Sequence, residues 1–366
     1  MQLDHYRPFG HSGLIVSPLA LGTMTFGTQR WGADTEASRA IFDSYVEQGG
    51  NFIDTANIYS GGQSETLVGE FTRTRNLRNQ LVIATKSAFA WSDHPHAGGN
   101  GAKAIHTAVE QSLQRLQTDY IDLYWLHVWD RITPPEEVLQ TMSQLVRAGK
   151  IRYWGISNAP AWYIATIVTL ARTQGLIAPI ALQFEYSLAE RGIEAEHLPL
   201  AYTQRLAMQP WSPLAGGFLT GKYDRKDPAN VAGQRGHSLP DGGQDSGTSK
   251  NRLSGSNPFG DSKFTERNWA ILKEIKKVAT ELEVPCSQVA LSWLVQRPTV
   301  AGTLIGVSKL GQLQDNLKAL AVKLHPQHLQ ALDAISAPMP PYPANLFSDF
   351  VGKLAFGGHL IKPGYE

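Results

Sequence analysis

The sequence predicts an α/β fold, a (β/α)₈ TIM barrel of eight strands with helices between them. Short β-branched or aromatic runs alternate with amphipathic stretches about as long as helices, the runs number eight, and several of them end in polar residues. The count alone does not exclude an open doubly wound sheet. A chain of 366 residues with 42% hydrophobic content suits one large barrel or two ordinary domains. We predict one domain over residues 1–366.

The elements follow in order along the chain. YRPFGHSGLIVS contains two short extended pieces around a His-Ser-Gly turn, which predicts an N-terminal hairpin that caps one mouth of the barrel. Asp34 and Pro134 are expected helix starts, and Gly49 and Gly149 are expected helix stops. The expected strands span residues 18–24, 51–56, 81–86, 120–127, 151–158, 180–187, 206–212 and 301–308.

Two regions break this alternation. Residues 223–262 are rich in Gly, Ser, Asp and Asn and follow the seventh strand, which predicts a mobile loop at the catalytic face, either a lid or plain disorder. The C-terminal tail, residues 338–366, is rich in Pro and Gly but keeps aromatic and apolar residues. We expect this tail to pack on the barrel.

Composition limits the classes of function. The 33 basic and 32 acidic residues give a formal charge of +1 without a long block of one sign, which argues against binding of nucleic acid or of an anionic membrane. Cys286 is the only cysteine, so an intramolecular disulfide is excluded and a reducing compartment is favoured. The N-terminus lacks the features of a secretory signal, and no stretch of about 18 apolar residues is present. We expect a cytoplasmic protein; its oligomeric state stays open.

Four polar residues stand just past apolar runs, namely Asp54, Tyr59, Lys86 and His127. Their positions on three strands predict a composite site at one end of the barrel. A tyrosine hydroxyl has a pKa of about 10, but a nearby ammonium and imidazole favour its phenolate and make it a usable proton donor. A buried lysine needs a partner, which the aspartate supplies. Singly, these residues also suit a helix cap, packing, a strand-end charge and a core histidine. Together they indicate protonation of a carbonyl oxygen while hydride reaches the carbon.

Seven motifs follow one another along the chain: GGNFIDTANIYSGGQSE, LVIATK, YIDLYWLH, GISN, LQFEYS, QPWSPLAGGFLTGKY and GVSKLGQLQDNLKAL. In this order they resemble the aldo-keto reductase superfamily from about Tyr6 to about Leu320. A looser resemblance is to its bacterial aryl-alcohol-dehydrogenase-like branch, which is related to the β-subunits of voltage-gated potassium channels. The resemblance implies a barrel that binds NADPH without a Rossmann fold and reduces an aldehyde or ketone. The chain has no Gly-x-Gly-x-x-Gly after a strand, which agrees with this.

The resemblance also implies residue roles. Tyr59 corresponds to the general acid, Lys86 and Asp54 to its charge-tuning pair, and His127 to the residue that orients the carbonyl and assists proton donation. Hydroxyl and amide groups after the fifth and sixth strands suit a nicotinamide carboxamide, with strand-end hydrogen bonding as the alternative. The implied cofactor-binding residues are Thr23, Asp54, Ser157, Asn158, Gln183, Trp211, Ser212, Leu214, Gly216, Leu219, Gly221, Lys222, Arg252, Gly306, Ser308, Gln312, Asp315 and Asn316. Among them, the resemblance assigns Leu214, Gly216, Leu219, Gly221 and Lys222 to the pyrophosphate side of the cofactor. It assigns Gly306, Ser308, Gln312, Asp315 and Asn316 to the adenosine end.

One departure concerns the 2′-phosphate of NADPH. Many family members carry a basic pair in the last motif, where this chain has Gly306 and Gln312. Lys309, Arg252 or Lys222 would compensate through charge-assisted hydrogen bonds. We therefore predict NADPH over NADH, with Arg252 as a clamp in the long loop or, alternatively, as a solvated surface charge.

Aromatic residues near the strand ends predict a pocket with aromatic walls, which favours apolar or aromatic carbonyl compounds over sugars and charged acids. The predicted substrate residues are Met24, Trp31, Tyr59, Trp91, His127 and Trp129, with Phe26, Phe89 and Tyr186 nearby. His94 and His96 lack a third ligand nearby, so no metal site is predicted.

The sequence leaves two alternative functions open. A nucleotide-binding, redox-sensing regulatory subunit of the channel type would be favoured by a damaged tetrad, and all four residues are present. A glycosidase or metal-dependent hydrolase would need paired carboxylates or a His/Asp cluster at strand ends, and neither is apparent. A reductase is therefore the predicted function.

Overall fold

The computed structural model describes residues 1–28, 32–225, 253 and 263–361. The chain begins with an antiparallel hairpin of β1 (Arg7–Pro8) and β2 (Ile15–Val16). Phe9, which follows β1, is fully buried and lies edge-on to Phe52 and Trp125, with ring centroids 5.3 and 6.3 Å apart. The predicted hairpin is confirmed, and Phe9 fills the mouth of the barrel at the amino ends of the strands.

Eight parallel strands form the centre of the protein. They are β3 (Leu19–Gly22), β4 (Phe52–Asp54), β5 (Val82–Ser87), β6 (Ile121–Leu126), β7 (Ile151–Ser157), β8 (Ala181–Glu185), β9 (Ala207–Trp211) and β10 (Thr303–Gly306). Their hydrogen-bonded order is β10, β3, β4, β5, β6, β7, β8, β9. A parallel bridge between Met208 and Val300 joins β9 to the segment just before β10 and closes the ring. The predicted barrel is confirmed, and the open sheet is excluded.

Helices cover the outside of the barrel, except for the last one, which lies in the C-terminal tail and has no buried residue. They are α1 (Thr35–Glu47), α2 (Gln63–Thr74), α3 (Ala102–Leu116), α4 (Pro135–Arg147), α5 (Ala161–Gln174), α6 (His197–Gln204), α7 (Glu266–Glu281), α8 (Cys286–Val295), α9 (Leu310–Leu317), α10 (Pro326–Ser336) and α11 (Asp349–Ala355). Asp34 caps α1 by accepting a hydrogen bond from Ala37 N at 2.8 Å, and Pro134 precedes α4. Gly49 and Gly149 follow α1 and α4 with φ of 87° and 71°. The predicted starts and stops are confirmed.

The strands are apolar because both of their faces are covered. Every residue of β5 is buried. One apolar cluster fills the inside of the ring and includes Phe52, Leu123 and Trp125. A larger one lies between the sheet and the helices. None of the described helices is long and apolar enough to cross a membrane.

The tail prediction is wrong for the part of the tail that the structure describes. No residue of α11 is buried, and Phe347, Phe350 and Leu354 are 77%, 70% and 67% exposed. Aromatic content alone does not specify a docking position, because packing also needs an uncovered apolar surface on the barrel. Most of the predicted loop at residues 223–262 lies outside the described residues.

Candidate active site

The carboxyl ends of β4, β5 and β6 bring the four predicted catalytic residues together. Asp54 ends β4, Lys86 lies near the end of β5, and His127 directly follows β6. Tyr59 begins a 3-10 turn that connects β4 to α2. Because the carboxyl ends of parallel barrel strands share one face, these side chains meet there.

Lys86 and Asp54 form a buried ion pair at the centre of the site. Their side chains are 1% and 2% exposed, and Lys86 Nζ donates hydrogen bonds to Asp54 Oδ1 and, at 2.7 Å, to Thr55 O. Burial opposes the ammonium, but the charges of Asp54 and Tyr59 outweigh it and raise the pKa of Lys86. Burial also raises the pKa of Asp54, against the attraction of Lys86 and the hydrogen bond from Gln183. The ammonium is thus held in place beside Tyr59.

Tyr59 lies within reach of this ammonium. Lys86 Nζ donates a hydrogen bond to the Tyr59 hydroxyl at 3.5 Å and lies 5.1 Å from the centroid of its ring. The next residue, Ser60, has a φ of 50°, and its hydroxyl donates to Phe26 O at 2.9 Å, which fixes the turn. A hydrogen bond from an ammonium stabilises a phenolate, which is the condition for tyrosine to release a proton.

His127 stands beside Tyr59. Its ring is edge-on to the rings of Tyr59 and Phe89, with centroids 5.9 and 4.8 Å away. Burial and the positive charge of Lys86 lower the pKa of His127 well below its usual value. The imidazole is therefore neutral near pH 7. Among the described residues its Nδ1 has no hydrogen-bond partner.

Two buried polar residues of α2 that were not predicted from the sequence, Ser64 and Glu65, connect this helix to β5 and to the residue after β3. The side chain of Glu65 is fully buried, accepts a hydrogen bond from Thr85 at 2.5 Å and pairs with Arg115 at 2.6 Å. Ser64 Oγ lies 2.8 Å from the hydroxyl of Thr23. Ser64 and Glu65 end the motif GGNFIDTANIYSGGQSE, which was the only sequence signal for them. Thr23, predicted to bind cofactor, is fully buried and bonded within the protein.

The predicted nicotinamide residues lie together at the ends of β7, β8 and β9. Asn158 Nδ2 donates to His127 O at 2.9 Å, and Asn158 Oδ1 accepts from Trp211 Nε1 at 3.2 Å. The hydroxyl of Ser157 donates to Gln183 O at 2.7 Å. The amide of Gln183 donates to Asp54 Oδ2 at 2.9 Å. Hydrogen bonds thus connect the predicted cofactor residues with the predicted catalytic residues.

The predicted pyrophosphate segment forms a compact turn after β9. Residues Ala215–Thr220 are a 3-10 segment, and Ser212 Oγ accepts a hydrogen bond from Gly216 N at 3.1 Å. Gly216 has a φ of 66°, and a β-carbon there would lie 2.7 Å from Leu253, which is buried. The 3-10 segment contains the predicted residues Gly216 and Leu219; Ser212 and Leu214 precede it, and Gly221 and Lys222 follow directly.

The predicted adenosine residues lie at the corner between β10 and α9. Gly306, Gln312 and Asp315 are exposed, whereas Asn316 is only 7% exposed. Gln312 Oε1 accepts a hydrogen bond from Ser308 N at 2.9 Å. The exposed side chains of Gln312 and Asp315 are available to a ligand, and Asn316 is mostly covered.

Two of the nearby aromatic residues do not line the pocket. Phe26 and Tyr186 are 0% and 1% exposed and belong to the core, and the Tyr186 hydroxyl donates to Glu194 at 2.6 Å. A position near a strand end did not reveal the side chain's direction. By contrast, Phe89 and Trp91 are 44% and 37% exposed.

The other predicted substrate residues differ in their surroundings. Trp129 packs on Trp162 and Tyr163, with centroids 5.6 and 5.9 Å away. Met24 is partly buried, next to the buried Thr23. Trp31 and Arg252 lie outside the described residues. Within the described ranges, no group of three potential ligand residues suits a metal ion.

Among known protein families, residues 18–337 of the chain match the model of the Aldo/keto reductase family. The chain belongs to the aldo/keto reductase family. Norsolorinic acid reductase B of Aspergillus parasiticus is 32% identical over 359 residues, which cover 94% of this chain and 88% of that relative. An NADP(+) aryl-alcohol dehydrogenase of Phanerodontia chrysosporium is 31% identical over 354 residues, covering 92% and 87%. A probable voltage-gated potassium channel subunit beta of Oryza sativa subsp. japonica is 31% identical over 339 residues, covering 92% and 97%.

Family membership confirms the resemblance that the seven motifs predicted. This aldo/keto reductase is an NADP-dependent oxidoreductase, and its family model covers all eight barrel strands. The barrel positions the four polar residues, and the family match gives the class of reaction.

Proposed function

We propose that the protein reduces an aromatic or apolar aldehyde or ketone to the alcohol, with hydride from NADPH and a proton from Tyr59. The observation that carries this proposal is the hydrogen bond between Lys86 Nζ and the Tyr59 hydroxyl at 3.5 Å, beside a neutral His127. The family match supports carbonyl reduction in general, and these contacts support the residue roles that we propose.

The roles follow from charge and geometry. NADPH supplies the hydride when it is bound. As the carbonyl oxygen gains negative charge, the Tyr59 hydroxyl transfers its proton to that oxygen, and the Lys86 ammonium stabilises the phenolate that remains. Asp54 keeps Lys86 charged and in place. The neutral imidazole of His127 donates an N–H to the carbonyl oxygen and orients it.

The described residues fit such a cofactor. Ser157, Asn158 and Trp211 form a hydrogen-bonded group beside Asp54 and His127. A β-carbon on Gly306 or Gly311 would meet no heavy atom within 4 Å, so the corner between β10 and α9 is open. Lys309, exposed at the start of α9, would bring a positive charge to a 2′-phosphate there.

The test is the loss of nicotinamide absorbance when NADPH, and separately NADH, meets a panel of aromatic and aliphatic aldehydes and ketones. We expect oxidation that depends on the carbonyl compound, is faster with NADPH, and is fastest with aromatic or apolar substrates. Faster turnover of sugars or charged acids would contradict the substrate class.

Tyr59→Phe tests the role of the acid. We expect this variant to lose at least about 100-fold in kcat while its Kd for NADPH changes less than about twofold, because the hydroxyl acts on the substrate and not on the cofactor. The Kd is measured by quenching of tryptophan fluorescence. Retained turnover would remove Tyr59 from the acid role.

A regulatory role is the second candidate. The similarity to a probable channel β-subunit, of which 97% is covered, favours it. The assembled tetrad favours turnover instead. If NADPH binds tightly but no carbonyl compound in the panel oxidises it, the regulatory role is favoured over the enzyme.

The proposed place of this reaction is the cytoplasm. Cys286, the only cysteine of the chain, carries a free thiol, which is consistent with a reducing compartment. Cell fractionation with an antibody against the protein tests this, and recovery outside the cytoplasm would contradict it.

A further inference from the structure

Gln209 lies at a position where a barrel strand would normally carry an apolar residue. Its side chain belongs to β9 and is 0% exposed. A buried amide destabilises the protein unless both of its ends are hydrogen-bonded. Gln209 meets this condition: its Nε2 donates to Gly302 O at 2.9 Å, and its Oε1 accepts from Gln183 Nε2 at 2.7 Å.

These two hydrogen bonds fix the orientation of two amides. Because a backbone carbonyl only accepts, the nitrogen of Gln209 must face Gly302 O, and its oxygen must face Gln183. Gln183 Nε2 then lies between two acceptors, Gln209 Oε1 and Asp54 Oδ2, the latter at 2.9 Å. Both N–H groups of Gln183 are therefore used. Its Oε1 accepts no hydrogen bond from the described residues.

We propose that Gln209 is a positioning residue for cofactor binding. By holding the nitrogen end of the Gln183 amide, it leaves Gln183 Oε1 as the atom that would accept a hydrogen bond from the NH₂ group of a bound nicotinamide carboxamide. It also keeps Gln183 in contact with Asp54, the partner of Lys86. The proposal rests on the proposed function and on the cofactor role that the resemblance implies for Gln183. It adds Gln209, which begins the motif QPWSPLAGGFLTGKY but was not among the predicted cofactor-binding residues.

A purely structural role for Gln209 predicts something different. If Gln209 only satisfied buried polar groups, its loss would lower the stability of the apoprotein and weaken every cofactor alike. Positioning of the Gln183 amide acts through one acceptor atom. Its loss should therefore affect only a ligand that has a donor at that point.

The experiment compares two cofactors on four proteins. The cofactors are NADP+ and its 3-acetylpyridine analogue, in which a methyl group replaces the carboxamide NH₂. The proteins are the wild type, Gln209→Met, Gln183→Met and the double variant. Methionine keeps about the same length and removes both hydrogen-bonding ends. The Kd is measured by tryptophan fluorescence, and the melting temperature of each apoprotein is recorded.

We expect Gln209→Met to weaken NADP+ by about three- to tenfold, the effect of one misdirected hydrogen bond, and the analogue by less than about twofold. The double variant should bind NADP+ with a Kd within about twofold of that of Gln183→Met, because Gln209 acts through Gln183. Equal weakening of both cofactors, or independent effects of the two substitutions, would overturn the proposal.

Gln209→Glu provides a second test if the methionine variant folds poorly. A protonated carboxyl can donate to Gly302 O and accept from Gln183, whereas a carboxylate can only accept. NADP+ affinity of Gln209→Glu, relative to the wild type, should therefore recover as the pH falls and the buried carboxyl is protonated. Affinity that does not recover would count against the proposal.

Measurements on the wild type distinguish a failure of this proposal from a failure of the proposed function. If the wild type fails to bind NADP+, both are overturned. If it binds NADP+ and reduces carbonyls while Gln209→Met binds both cofactors like the wild type, only the positioning role is overturned.

Discussion

The ammonium of Lys86 contacts both Asp54 and Tyr59. The same positive charge therefore balances a buried carboxylate and stabilises the phenolate of Tyr59. The ion pair is almost completely buried. A buried ion pair contributes little net stability compared with apolar residues, but removing one partner leaves a buried uncompensated charge.

Lys86→Met should therefore destabilise the protein by about 3 to 5 kcal/mol. In the double variant Asp54→Asn with Lys86→Met, no carboxylate is left unpaired, and part of that loss should be recovered. Urea unfolding of the apoproteins measures both values. A double variant as unstable as Lys86→Met would show that the cost comes from packing and not from charge.

His127 makes the stability depend on pH. The pKa of His127 is lowered in the folded protein. Below a pH of about 6.5 its imidazole therefore binds a proton in the unfolded chain but stays neutral in the native state. The free energy of unfolding should then fall as the pH falls, by up to about 1.4 kcal/mol per pH unit from this group. His127→Gln should make that decline shallower between pH 7 and pH 5, and His96→Gln is the control for removal of an exposed imidazole. Identical slopes for wild type and His127→Gln would contradict the buried neutral imidazole.

At the scale of elements, the turn after β9 depends on a glycine. Gly216 has a φ of 66°, and Leu253 lies against it. Gly216→Ala should lower the free energy of unfolding by about 1 to 2 kcal/mol, because alanine is strained in this conformation and its β-carbon collides with Leu253. The measurement is denaturant unfolding without cofactor.

Gly311→Ala is the matched control for that experiment. A β-carbon on Gly311 meets nothing within 4 Å, and Gly311 lies in the helix α9. Its stability should be unchanged or slightly increased, since alanine favours a helix. Equal losses from the two substitutions would show that the backbone conformation of Gly216 is not the cause.

The sequence predicted elements better than side-chain partners. All eight strands and the hairpin were predicted, because buried parallel strands are continuous apolar runs bounded by turn residues. The tetrad was predicted because polar residues that directly follow apolar strands meet at one end of a parallel barrel. The sequence could not show that Gln209 pairs with Gln183, since the register that sets these two residues opposite each other on β8 and β9 is fixed only in the folded sheet. Nor could it separate Phe89, which is exposed, from Phe26, which is buried, because the direction of a loop side chain depends on its tertiary surroundings.

At the scale of the whole molecule, the part of the chain that packs on the barrel ends near Ser336, before the C-terminal tail. Ser336 is fully buried, and its hydroxyl accepts a hydrogen bond from Arg191 at 2.8 Å, while its carbonyl accepts one from Arg267 at 2.5 Å. The large apolar residues described after Pro338 are exposed, and the family model stops at residue 337.

Removal of residues 339–366 should shift the melting temperature by less than about 2 °C, because it takes no described buried residue from the barrel. A truncation that also removes Ser336 should lower it by several degrees, since it leaves the guanidinium groups of Arg191 and Arg267 without those partners. Circular dichroism melts measure both. A large loss in the shorter truncation would show that the tail stabilises the barrel after all.

Closure of the ring at one parallel bridge has a consequence for hydrogen exchange. The seam between β9 and β10 is held near its start by two backbone hydrogen bonds, from Met208 N to Thr299 O at 2.8 Å and from Ala301 N to Met208 O at 2.9 Å. Local opening begins where the fewest bonds must break. Among the barrel amides, those of Met208 and Ala301 should therefore exchange with deuterium first. The barrel should open between β9 and β10 before any other pair of strands separates.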